Sequence, residues 1–314
     1  MKVISSSRAF CPAGVSSFFE ICDQTPAGQP VTDLEKVGSR GGGFVIKKGV
    51  ETRVEVTRSE QNSISVFING ELTPEAHTSL TVAKALLVRK LERYRVTIYH
   101  GVEIPIGAGF GSSAGGALGT ALALSEALDL KLTFNQLGKI AHVAEVQCKT
   151  GLGTVGPIML GGCILTVEPG APGVGIIDRL PLSPDHVVVA GTFEPIPTNK
   201  FLLSSPERRE KVSRCGRSTL NAILEEPSIE NFLAQCLKFS EETGLITERA
   251  RKLVKVAEKA GAIGAAQNMI GEAVHALTRS KNACNLAEAF KQVLPEERVI
   301  CAEIDFQGAR LLNT

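Results

Sequence analysis

The sequence predicts a mixed α/β protein of two domains. Three observations carry that expectation. An alternating strand from Arg95 to Glu103 runs through a glycine-rich stretch at 105–115 into an Ala/Leu-rich helix that lasts to about Leu128. Period-2 and period-3.6 runs then follow one another along most of the 314 residues. Between them, Glu168-Pro169-Gly170-Ala171-Pro172-Gly173 breaks both periods and marks a boundary between a domain at 1–170 and another at 171–314.

Composition sets the outer limits. With 43% hydrophobic and 21% charged residues the chain is an ordinary globular one, not a disordered one. A net charge of +1 gives no general attraction to nucleic acid or membrane, so any basic site must be local. No apolar run reaches membrane-spanning length, and Met1-Lys2-Val3-Ile4 reads as the start of a strand rather than a signal peptide. The eight scattered cysteines form no C-x-x-C and read as reduced thiols of a cytoplasmic enzyme. There is no tryptophan to stack on nucleic-acid bases.

The first elements follow in order. Residues 2–10 read as a strand leading into Cys11-Pro12-Ala13-Gly14 and on to Asp23. In Gly38-Ser39-Arg40-Gly41-Gly42-Gly43, glycines around one arginine allow close approach, and the guanidinium could hold a carboxylate through two parallel bonds. A solvated turn explains the same string equally well. A hairpin is expected from Phe44–Ile46 to Arg53–Val56, turning at Lys47-Lys48-Gly49. A second follows Ser63–Ile68, with Asn69-Gly70 as a type I′ signal. Thr73-Pro74-Glu75 reads as N-cap and first turn of a helix running to about Arg93.

The central string is Pro105-Ile106-Gly107-Ala108-Gly109-Phe110-Gly111-Ser112-Ser113-Ala114-Gly115. Three alternate glycines let the backbone approach a ligand closely. The helix that starts at the two serines leaves its first N–H groups free and carries partial positive charge, a geometry that collects phosphate. A Walker loop is excluded because no Gly-Lys-Ser/Thr follows the glycines. A dinucleotide fingerprint fits poorly, since the spacing is G-x-G-x-G and the acidic Glu126 and Asp129 end a helix. A packing turn of small residues is the plain alternative.

Thr133 and Gln136 make a capping box for the next helix, where His142 and Glu145 share one face. An ordinary half-buried pair and a functional pair are both open at that point. Strand 186–190, amphipathic helices at 228–243 and 247–260, and a glycine-rich turn at 261–271 follow. That turn is expected to lead into another helix. Strand Val299–Ile304 and a segment at 306–312 close the chain.

The string P-x-G-x-G-x-G-S-S-A at 105–114 closely resembles the second signature motif of the GHMP kinases, the galactokinase, homoserine, mevalonate and phosphomevalonate kinase superfamily. R-A-F-C-P-A-G-V-S-S-F-F-E-I at 8–21, S-R-G-G-G-F at 39–44 and G-A-A-Q-N-M-I-G-E-A-V at 264–274 most resemble the archaeal pantoate kinases within it. The resemblance implies an N-terminal half like domain 2 of ribosomal protein S5, a ferredoxin-like C-terminal half, and a homodimer. It implies phosphorylation of the 4-hydroxyl of (R)-pantoate by ATP for coenzyme A synthesis. The ATP phosphates would lie on Pro105, Gly107, Ala108, Gly109, Phe110, Gly111, Ser112, Ser113 and Ala114, with Mg2+ on Ser113 and Glu145. Catalytic positions would be Ser113, Glu145, Thr154 and Asp23, and the substrate would meet Arg40, Ser39, His142, Asp23 and Thr198. Arg40 is the first choice for the substrate carboxylate and Arg8 the second.

Two positions depart from the superfamily pattern. Thr154 stands where several members carry an aspartate that acts as general base, and Val15 replaces the lysine of mevalonate kinases. Threonine is too weak an acid to be that base, so either transfer needs no strong base or Asp23 substitutes. The alternatives are a GHMP kinase for another small hydroxy compound, homoserine-like, and a non-catalytic nucleotide-binding sensor of the same fold.

Overall fold

In the computed structural model, which describes residues 3–194 and 205–313, two long antiparallel strands organise the first sheet. They are β1 (Ser5–Cys22) and β2 (Gly38–Arg58), paired from Ser5 opposite Val56 to Cys22 opposite Gly38. The hairpin expected at 47–49 does not form, because both arms of β2 find their partner in β1. Lys47 and Lys48 are instead looped out where the register shifts between Pro12 and Ala13, a β-bulge. Gly49 allows it: a Cβ there would lie 2.1 Å from the Cys11 carbonyl oxygen.

On one side of the pair lies β12 (Arg310–Leu312), and on the other β5 (Tyr94–Val102), β3 (Ser63–Ile68) and β4 (Glu71–Leu72). The β3–β4 turn has positive φ at Asn69 and Gly70, as the type I′ signal predicts. The first half of β2 also pairs with β6 (Cys163–Glu168), which carries β7 (Ile176–Leu180) on its far edge.

Four helices cover this sheet: α1 (His77–Leu87), α2 (Ser112–Ala127), α3 (Phe134–Cys148) and α4 (Val155–Leu160). Helix α1 is shorter than expected at both ends. Thr73 turns its hydroxyl to the Glu71 carbonyl instead of capping, and beyond Leu87 the chain is left in solvent, with Leu91 97% exposed. Helix α2 lies close on β1 and β2 because its glycines have no side chains. A Cβ on Gly119 would sit 2.2 Å from Thr52 Oγ1, and one on Gly115 2.9 Å from Val50 Cγ2. At α3 both bonds of the Thr133–Gln136 capping box are present.

The second sheet has the order β11 (Val299–Glu303), β8 (His186–Glu194), β10 (Glu272–Arg279), β9 (Gly264–Gln267). The helix expected after Gly271 is therefore strand β10. Its Glu-Ala-Val-His-Ala-Leu run has adequate helix propensity, but pairing on both edges overrides that weak preference. Helices α5 (Pro206–Glu225), α6 (Ile229–Thr243), α7 (Glu248–Lys259) and α8 (Ser280–Lys291) complete the chain. Helix α6 ties the sheets together: Phe232 meets Phe18 and Phe44 edge-to-face at 6.1 and 5.3 Å, and Phe239 meets Phe18 at 6.3 Å. Among the described residues no helix is long and apolar enough to cross a membrane.

Candidate active site

The loop between β5 and α2 has the backbone its glycines forecast, with φ of 77°, 79° and 68° at Gly107, Gly109 and Gly111. Gly111 is the N-cap of α2 in the left-handed region, and no side chain caps the helix. Ala108 and Phe110 are buried in the core and pin the loop from below, while Ser112 and Ser113 are half-buried at its mouth. Pro105 opens the loop and buried Ala114 starts the helix body. The result is an uncapped N-terminus on a 16-residue helix, presented by a rigidly seated turn.

The seat comes largely from the turn between β9 and β10. Gly109 packs on Asn268, whose Cβ would lie 3.0 Å from a Cβ at that glycine, and Met269 N–H donates to Ser16 O at 2.7 Å. A buried polar chain runs Ser17, His275, Asn268, Ala108. Asn268 Nδ2 lies 3.5 Å from the Ala108 carbonyl, so Nδ2 is the donor and Oδ1 faces His275 Nδ1 at 2.9 Å. The imidazole must then carry its proton on Nδ1 and accept at Nε2 from the Ser17 hydroxyl, 2.9 Å away. Burial pushes the His275 pKa down to about 3, which keeps that neutral tautomer.

Beside the helix N-terminus, Ser113 Oγ donates to Glu145 Oε1 at 2.5 Å and Thr150 Oγ1 donates to the same oxygen at 2.6 Å. Thr78 Oγ1 lies 3.3 Å from Ser113 Oγ. Glu145 Oε2 lies against Gly151, where a Cβ would come within 2.4 Å, so only glycine leaves that oxygen room. Burial holds the Glu145 carboxyl above the usual carboxylate range, opposed by the bonds from Ser113 and Thr150. One carboxylate with two hydroxyls at a phosphate-collecting helix end is an all-oxygen donor set, which fits a hard cation such as Mg2+.

A second concavity adjoins this one. Its wall comes from β1 at Gly14–Ser16, Phe18 and Phe19, from β2 at Ser39 and Gly41–Val45, from β6 at Ile164 and Thr166, and from Gly153, Thr154 and Pro157. Thr154 belongs to both: its methyl would lie 2.6 Å from a Cβ on Gly111 and 3.0 Å from one on Gly14. The pocket therefore shares a wall with the glycine loop.

The predicted substrate residues distribute unevenly. Ser39 lines the pocket, its Oγ tight against Gly153. Arg40 follows it on the strand and so points to the opposite face of the sheet. There it bonds Glu20 Oε2 at 3.2 Å, the Val167 carbonyl at 3.0 Å and Glu168 Oε2 at 3.3 Å. Burial opposes its charge, but the two carboxylates outweigh it and hold the guanidinium above its usual pKa. Arg8 is paired with Glu51 at 2.7 Å. His142 is buried, with Nε2 on the Val37 carbonyl at 2.8 Å, and burial holds its pKa below the ordinary histidine value. Asp23 is half-buried and takes a bond of 2.6 Å from Arg209. Thr198 lies outside the described residues.

Residues 79–162 match the family described as GHMP kinases N terminal domain. Over 297 residues the chain is 34% identical to the pantoate kinase of Thermococcus kodakarensis, covering 92% of each. This chain belongs to the pantoate kinases of the GHMP superfamily. A solved structure described as a phosphotransferase related to the CoA biosynthesis pathway superposes with a TM-score of 0.83 at 30% identity, covering 98% of both chains. The homoserine kinase of Cytophaga hutchinsonii shares the fold, with a TM-score of 0.71 at 16% identity and 99% of each chain covered.

Within this GHMP kinase fold, several site groups escaped sequence reading. Thr150 and Thr78 act through hydroxyls that any loop or helix threonine carries. His275 sits where a helix is expected, and Asn268 in the glycine-rich turn before it. Arg209 is one of several arginines on α5, and only its partner Asp23 distinguishes it.

Proposed function

We propose that this pantoate kinase moves the γ-phosphoryl group of ATP to the 4-hydroxyl of (R)-pantoate, giving 4-phosphopantoate for coenzyme A synthesis. The observation that carries the reading is the shared wall at Thr154: an uncharged pocket for a small acceptor opens directly against a phosphate-collecting helix N-terminus. The glycine loop and the first N–H groups of α2 hold the phosphates, and Ser113 and Glu145 hold Mg2+. Mg2+ supplies neutralisation of phosphate charge when bound. Thr150 keeps Glu145 oriented toward Ser113. Ser39 and Thr154 line the pocket and offer hydroxyls to the acceptor, and Asp23 lies just past the end of β1. No carboxylate lines the pocket wall, so the reading rests on positioning and charge stabilisation rather than on a strong base.

A cytoplasmic homodimer divided at 1–170 and 171–314 belongs to the same reading, supported by the superfamily resemblance. The test is magnesium-dependent ADP release from ATP with pantoate, homoserine, mevalonate and no acceptor in parallel. Release with pantoate alone is the expected result. Release with another acceptor, or nucleotide binding without release, overturns the assignment of substrate or of chemistry respectively.

A further inference from the structure

The pocket wall contains four polar side chains, Ser16, Ser39, Thr154 and Thr166, and no charged one. A carboxylic acid cannot leave its anion in such a pocket without a cation at the rim. Arg40 serves on the other face of the sheet, held by two carboxylates and a carbonyl. Arg8 lies six residues before Gly14, roughly 20 Å along the strand, and is already paired.

Helix α5 brings a different arginine to the right end. It runs antiparallel along the outer edge of β1, so close at Gly216 that a Cβ there would lie 2.1 Å from the Phe19 carbonyl oxygen. Arg217, the next residue, bonds Glu20 at 2.7 Å, and two turns earlier Arg209 Nη2 bonds Asp23 Oδ2 at 2.6 Å. Asp23 is the first residue past β1, two positions beyond Ile21. Phe19 lines the pocket, and Ile21 is paired with Ser39, which lines it too. The Asp23–Arg209 pair thus stands about 7 Å beyond the Ile21–Ser39 pair, within an arginine's reach. Its side chains are 34% and 26% exposed, so the guanidinium is open to solvent while one nitrogen is fixed.

We propose that Arg209, held by Asp23 at the outer end of the pocket, is the specificity residue that takes the carboxylate of the acceptor. The proposal rests on the phosphotransfer reading and names how that site selects an acid. Asp23 aims the guanidinium and leaves further N–H groups for two parallel bonds to the acid. It also repels a second negative charge, which disfavours dicarboxylates.

The test compares pantoate with its neutral carboxamide on the full-length protein, wild type, Arg209→Gln and Arg209→Lys. For the acid, Arg209→Gln is expected to raise KM by roughly 10–100-fold, with KM for ATP and the melting temperature little changed. Arg209→Lys recovers part of the loss. For the carboxamide, wild type and Arg209→Gln should perform alike. Equal losses on acid and amide, or no loss on either, overturn the proposal. If Arg209→Gln does not fold, the wild type alone decides: failure to prefer acid over amide by at least about 10-fold overturns it. Calorimetric binding of pantoate beside a non-hydrolysable ATP analogue reads the same difference without turnover. Binding lost in Arg209→Gln supports the proposal, and binding retained overturns it. Absence of ADP release in the acceptor panel is a separate result that strikes the phosphotransfer reading.

Discussion

At the phosphate end of the site, Gly107 to Ala114 and Glu145 to Gly151 come from two short stretches whose local chemistry defines their shape. Positive φ needs glycine, an uncapped helix start collects phosphate, and a buried glutamate needs hydroxyl donors. At the acceptor end, Ser39, Phe19, Thr166 and Thr154 come from four separate segments that meet only through strand register and a bulge. The first end tolerates little change in its own residues, whereas the second depends on which face of β2 a residue occupies.

The sharpest test of the phosphate end is Glu145→Gln. It is expected to lower kcat by about 100-fold or more, because the carboxylate charge that would hold Mg2+ against the phosphates is removed while the shape is kept. A drop of less than about 10-fold would take Glu145 out of the cation shell. The same variant carries a stability signature. Burial raises the Glu145 carboxyl above its unfolded value, so its contribution to stability is full below the unfolded pKa and lost as pH rises through the folded one. The unliganded wild type therefore loses stability through this group as pH rises above the ordinary glutamate range. Thermal melts should show that slope flattened in Glu145→Gln.

This contrast also separates what the sequence disclosed from what it concealed. The glycine loop, the capping box of α3 and the type I′ turn each depend on residues within four positions of one another. Arg40 was concealed because it neighbours a ligand-like glycine run, yet alternation along a 21-residue strand sends it to the far face. Had Lys47-Lys48-Gly49 formed a hairpin, that strand would end before its register mattered. The bulge keeps it running.

Asn268→Ala probes whether the phosphate end is as local as it looks. The asparagine lies 160 residues from Ala108, yet it holds that carbonyl and is itself held by His275. Removing it leaves the His275 Nδ1 donor unpaired and frees the loop. ATP affinity, measured by titration with a non-hydrolysable analogue, should fall about 5–30-fold, together with a stability loss of about 1–3 kcal/mol. A stability loss with unchanged ATP affinity would show that the glycines alone organise the loop.

Arg40→Met has the smallest expected effect on turnover and sharpens the comparison at the acceptor end. Glu20 is 2% exposed and keeps Arg217 after the change, but it loses one of two cationic partners. Loss of a charged hydrogen bond of this kind costs about 1.5–3 kcal/mol, read as a lower melting temperature. KM for the acid should stay within about 2-fold of wild type, since Arg40 lies across the sheet from the pocket. A large rise in KM with little change in melting temperature would reverse the assignment. It would place the acid on the face of the sheet that carries Arg40 and Glu20, and Ser39 and Gly41 would then mark the wrong side of β2.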